Sequence, residues 1–104
     1  MIRAEFCESK GFLSGFKISG HAGYAESGQD IVCAAVSSAV SLAANIITDG
    51  FHSDAEAYEK DGAIVLNVDN PDEKTQAVLS MLKTQLEIIL EEFPKTIKIT
   101  ISEV

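Results

Sequence analysis

Apolar and polar residues alternate near both ends of the chain and recur at helical spacing in two stretches between them. In 2–7 (IRAEFC) and 12–19 (FLSGFKIS), Ile2, Ala4 and Phe6, then Phe12, Phe16 and Ile18, fall on one side. Gly11 turns the chain between these runs, so the pattern predicts a hairpin. Residues 31–48 repeat at helical spacing and predict a first helix. A second is expected from about Pro71 to Phe93, with Asn70 as N-cap, Pro71 in the first position, Glu73 completing a capping box and Pro94 as the stop. Between the helices, 52–60 and 63–69 flank Asp61-Gly62, a strong hairpin signal. Ile97, Ile99 and Ile101 alternate with Lys98, Thr100 and Ser102, which predicts a last strand burying one face. The order β-β-α-β-β-α-β gives a two-layer α+β domain: a mostly antiparallel sheet of about five strands with two helices on one face.

A length of 104 residues suits a single domain, 1–104, with one core. The 46% apolar and 23% charged content is ordinary for a globular chain. No run approaches the roughly 20 continuously apolar residues of a membrane span, so no membrane partner is expected. The start, MIRAEFCESK, has no export-signal pattern, and a cytoplasmic location is expected. In that compartment two cysteines do not make a disulfide scaffold, and each thiol needs its own account. The net charge of −8 disfavours direct nucleic-acid binding and favours a basic partner, unless acidity serves solubility alone.

Chemistry concentrates in 20–38, GHAGYAESGQDIVCAAVSS. On a helix advancing about 100° per residue, Ile31, Val32, Ala35, Val36, Ala39, Val40, Leu42, Ala43, Ile46 and Ile47 cover one half. The other half, Cys33, Ala34, Ser37, Ser38, Ser41, Ala44, Asn45 and Thr48, is small or polar and carries no charge. Asp30 as N-cap makes Cys33 the third helical residue. There the unpaired N–H groups and the helix dipole favour a thiolate, and the same N–H groups can donate to a developing oxyanion. His21, between Gly20 and Gly23, is spaced so that it can form the Cys–His ion pair of a reactive thiol. Ser37 follows Cys33 by one turn and is either support for the site or a small residue admitting another surface. Gly20, Gly23 and Gly28 allow the connecting loop to rearrange around a substrate.

These residues carry a family resemblance. Gly20, His21 and Ala22, followed by Gly28, Asp30, Ile31, Val32, Cys33, Ala34, Ala35, Val36 and Ser37, resemble the signature of the Prp family of ribosomal-processing cysteine proteases, formerly a YsxB-like domain of unknown function. The resemblance extends over nearly the whole chain. It implies a homodimeric α+β protein that removes the short N-terminal extension of a ribosomal large-subunit protein, the twenty-seventh in standard naming. It also implies His21 and Cys33 as the catalytic dyad, Asp30 and Ser37 as supporting residues, and no cofactor or metal. For Asp30 the two readings diverge, since a helix cap and a group orienting His21 are different tasks for one carboxylate. The cap is the reading preferred here.

Two other readings stand beside the protease. One is a non-catalytic, ribosome-associated binding module. The other gathers Cys33, His21, Cys7 and His52 around a metal, although Cys7 and His52 lack the short paired spacing of structural zinc sites. Cys7 is expected opposite Ile2, Ala4 and Phe6, as a packing thiol.

Overall fold

The computed structural model describes residues 1–21 and 30–103. Strands β1 (Ile2–Ser9) and β2 (Phe12–Gly20) form the first hairpin, followed by helix α1 (Ile31–Asn45) and a π turn, Ile46–Gly50. Strands β3 (Ala55–Lys60) and β4 (Ala63–Val68), helix α2 (Glu73–Glu92) and strand β5 (Ile97–Glu103) complete the chain. The sheet order is β3-β4-β2-β1-β5. Every pairing is antiparallel except that of β1 with β5. The expected two-layer α+β architecture therefore holds, with one parallel pair at an edge.

One apolar cluster joins the layers. Ile2, Ala4 and Phe6 of β1, Phe16 and Ile18 of β2 and Leu66 of β4 pack with Val32, Val36 and Val40 of α1 and Leu79, Leu82 and Leu86 of α2. Phe6 and Phe16 face each other across the hairpin and meet edge to face with centroids 6.4 Å apart. The alternation in β2 is not continuous. Cys7 pairs with Gly15 but Glu8 with Leu13, so Ser14 is an extra residue in a bulge. The slip turns Leu13 into the core and leaves Phe12, expected inside, only half-buried.

The helices depart from expectation at their ends and faces. Asp72, not Asn70, caps α2: its carboxylate accepts from the N–H groups of Lys74 and Thr75, both at 3.0 Å. The Thr75 hydroxyl accepts from the Asp72 N–H at 2.9 Å, so Thr75 rather than Glu73 closes the capping box. Pro71 stays outside the helix. On α1 the buried positions are Val32, Val36, Val40, Ala43 and Ala44. Ile31, Ala35 and Leu42, read with the apolar half, are exposed, whereas Ala44, read with the polar half, is buried. Two apolar stripes are present and only one meets the sheet.

Past Asn45 the helix widens, with Phe51 N–H donating to the Ile46 carbonyl at 2.8 Å and Ser53 N–H to that of Ile47 at 3.1 Å. These bonds hold the chain in the turn, and β3 begins at Ala55 rather than 52. Ile31–Gly50 is in fact 20 residues long and contains an 18-residue window of mean hydropathy 1.9, enough by length and composition to cross a membrane, contrary to the expectation. Its Val32, Val36, Val40 and Ile47 side chains are spent on the core of the sheet.

Candidate active site

The first turn of α1 is built by Asp30. Its backbone is extended (φ −80, ψ 100) and its Oδ1 accepts from Val32 N–H at 3.0 Å and Cys33 N–H at 3.2 Å. Asp30 is 8% exposed. The geometry is that of an N-cap holding the turn that carries the thiol. It corrects one expectation: the Val32 and Cys33 amides already have an acceptor, and they can serve an oxyanion only if Asp30 releases them.

Cys33 is half-buried against the edge of the core. It lines a cavity of about 90 Å³ together with Ser37 one turn later, Gly20 from the end of β2, and Gly62 and Ile64 from the β3–β4 hairpin. Ile2, Ile18 and Val36 supply apolar walls. The site thus lies where four segments distant in sequence converge. Ser37, expected as support, shares the thiol's cavity. His21 is exposed and directly follows Gly20, which places it beside the rim at the end of β2.

Gly20 has φ +85, and a Cβ there would stand 2.5 Å from the Met1 carbonyl oxygen. Both the angle and the contact require glycine at the residue that leads into His21. Gly23 and Gly28 lie outside the described residues. Asp61 (φ 52) and Gly62 (φ 79) are both left-handed, the conformation of a tight hairpin turn, and this turn brings Gly62 to the cavity.

The hairpin's part in the site was not read from the sequence. The Asp61-Gly62 signal was there, but its nearness to Cys33 follows from β4 pairing with β2, where Ile18 stands opposite Ile64. Cys7 lies between Gly15 and Ser102 in the sheet, and among the described residues no three His, Cys, Asp or Glu side chains gather as a metal would require. A larger groove of about 670 Å³ runs between α1 and α2, lined by Ala35, Ala39, Leu42, Val78 and Met81 among others. Its lining contains no charged or titratable side chain, and Ser38 and Gln85 are its polar members, so its chemistry is that of a contact surface.

The chain matches the family model described as Cysteine protease Prp over residues 1–98. It is 33% identical over 109 residues to the ribosomal processing cysteine protease Prp of Bacillus subtilis (strain 168), covering 96% of each chain. Among solved structures it is similar to the essential ribosomal processing protease Prp of S. aureus in complex with a covalently linked product peptide. That match has a TM-score of 0.87 at 25% identity and covers 98% of this chain and 100% of that one. It also resembles SMU.848 from Streptococcus mutans, with a TM-score of 0.76 and 29% identity over 100% of this chain and 96% of the other. The thiol at the head of α1 thus sits in a chain that matches one family nearly end to end, and this protein belongs to the Prp family of cysteine proteases.

Proposed function

We propose that this enzyme cuts the short N-terminal extension from the twenty-seventh protein of its host's large ribosomal subunit, with Cys33 as nucleophile and His21 as general base. The observation that carries the reading is the placement of Cys33 in the first turn of α1, in a cavity whose rim includes the residue preceding His21. The Bacillus subtilis and S. aureus relatives are each named a ribosomal processing protease, which supports the substrate class.

In this reaction the Cys33 Sγ attacks the scissile carbonyl, His21 takes the thiol proton and later delivers it to the leaving amine, and water releases the remaining acyl group from the thioester. The Asp30 carboxylate sets a negative charge at the same helix end. An imidazolium at His21 offsets that charge beside a thiolate, which is a physical reason for the ion pair. Ser37 supports the site from the next turn, and Gly20 supplies the backbone angle that leads into His21. A cytoplasmic location, where thiols are kept reduced, belongs to the same proposal.

Incubation with a precursor carrying the extension, followed by intact-mass measurement, tests the assignment. Release of one defined N-terminal peptide supports it. An unprocessed precursor, with Cys33 alkylated no faster than Cys7 at neutral pH, overturns it.

The same proposal includes a homodimer formed through the groove between α1 and α2. Leu42 and Met81 are 63% and 62% exposed there, and none of the lining residues is charged. In a chain of net charge −8 this is a surface where a second copy can approach without like-charge repulsion, and a two-fold interface uses one patch on both copies. Met81→Glu is expected to shift the protein to monomer in sedimentation. A monomeric unmodified protein at the same concentration would sink the dimer.

A further inference from the structure

The strand register carries a conclusion about which substrates the site selects. Ile64 lines the cavity with Cys33, and its partners across the sheet are Ile18 of β2 on one side and Glu59 of β3 on the other. Directly paired residues project from the same face of a sheet. Ala55, Ala57 and Glu59 therefore point to the side on which Val68, Leu66 and Ile64 meet the helices, and Glu56, Tyr58 and Lys60 point away. Ala57 and Glu59 are nevertheless exposed. The face of this edge strand that neighbours Ile64 is therefore open to solvent and forms a shelf next to the cavity rim.

The shelf has small walls and one charge. On α1 the cavity is bounded by Cys33, Val36 and Ser37; on β3 the side chains of this face are Ala55, Ala57 and Glu59. Among the described residues Glu59 has no cationic partner, and the ion pair found there is Lys83 with Glu87. Lys60, next in sequence, belongs to the opposite face.

We infer that Glu59 is a specificity-determining residue that recognises a lysine or arginine of the substrate close to the scissile bond. Neighbouring strands lie about 4.8 Å apart and an extended peptide advances about 3.3 Å per residue. A basic side chain within about three residues of the cut can therefore reach the carboxylate. An inward-pointing charge on an edge strand also protects against unwanted strand pairing. That role is indifferent to the charge of the substrate, and this indifference separates the two.

The inference rests on the proposed protease site, and binding and cleavage are measured separately so that either can fail alone. Peptides from the precursor's N-terminal segment, with Lys, Ala or Glu at the positions flanking the cut, are bound to the Cys33→Ala protein by fluorescence anisotropy at low salt. They are then cleaved by the protein with Cys33 intact. In both backgrounds Glu59→Gln should weaken the Lys peptide about two- to fivefold, as expected for a partly exposed ion pair, through KM with kcat unchanged. Glu59→Lys should reverse the order of the Lys and Glu peptides. Glu56→Lys makes the same change of net charge on the opposite face and should leave the order intact. A Lys-to-Glu preference that is the same in Glu59→Lys as in the unmodified protein, or equally altered by Glu56→Lys, overturns the assignment of Glu59. Charge-selective binding that is lost in Glu59→Lys, without cleavage of any peptide, supports Glu59 and overturns the protease chemistry at Cys33.

Discussion

Both helices begin with the same device and put it to different use. At α1 and at α2 an aspartate outside the helix accepts from the second and third amides through one carboxylate oxygen. At α2 the third residue is Thr75, whose hydroxyl returns a hydrogen bond to the Asp72 N–H, and the cap closes on itself at the surface. At α1 the third residue is Cys33, and the cap is 8% exposed beside a cavity. What differs is the side chain at the third position and the place of the turn in the fold. A helix start becomes a candidate active site when the residue that would complete its cap is replaced by a nucleophile and other segments converge on it.

The largest effect is expected at Cys33. Cys33→Ala should reduce cleavage to background while leaving thermal unfolding nearly unchanged, because alanine suits a helix and the thiol lies at the margin of the core. Retained turnover in this variant, or its loss in Cys7→Ala, would show that the wrong thiol has been chosen. His21→Ala comes next, with a loss of about 10²- to 10⁴-fold in turnover, the range for positioned acid–base catalysis. Alkylation of Cys33 against pH supplies the independent measurement. A profile identical to that of the unmodified protein would exclude the ion pair.

Much of this site was legible because its signals are local. A capping residue, a third-position cysteine and glycines around a histidine can all be read within 19 consecutive residues, 20–38. The strands were legible wherever one face is buried. Failures arose where tertiary packing chose between locally equivalent options. The bulge at Ser14 put Leu13 in the core in place of Phe12. Asn70 and Asp72 are both good caps, and Thr75 decided between them with a reciprocal bond. Leu42 reads as core by spacing, yet it belongs to a second apolar stripe that no element of the described chain covers. The hairpin turn was recognised, but not that pairing of β4 with β2 carries it to Cys33. Local geometry sets the candidate nucleophile, whereas the rim of its cavity is a product of long-range pairing.

A smaller effect is expected at Asp30, where the two candidate roles of the carboxylate respond differently to substitution. As a cap, Asp30→Asn should be mild, since asparagine caps equally well, while Asp30→Ala should cost about 0.5 to 2 kcal/mol and disturb the turn bearing Cys33. Turnover should fall with stability in the alanine variant and hold in the asparagine variant. If the carboxylate instead orients His21, asparagine would remove the charge and most of the turnover with little loss of stability. The two hydrogen bonds to Val32 and Cys33 favour the cap. Thermal unfolding and single-turnover cleavage of both variants decide, and a stable but inactive Asp30→Asn protein would return the residue to the catalytic group.

The smallest effect belongs to the other cap. The hydrogen bond from the Thr75 N–H is the main reason that the Asp72 carboxyl is held below its ordinary range, with further help from Lys74. A carboxyl lowered by folding stabilises the folded state fully above its unfolded value, and that contribution is lost as the pH falls through the lowered one. Asp72→Ala should therefore lower the midpoint of thermal unfolding at neutral pH, and the gap from the unmodified protein should close in acid. Asp72→Asn keeps a capping oxygen without the charge, so its stability should vary less with pH over the same interval. Cleavage at neutral pH should be unchanged in both, since this turn approaches no part of the cavity around Cys33. A gap that persists undiminished into strong acid would mean that the ionised carboxylate is not what stabilises α2. A loss of turnover in folded Asp72 variants would mean that the two caps are not independent, and the contrast between a structural and a functional helix start would no longer hold.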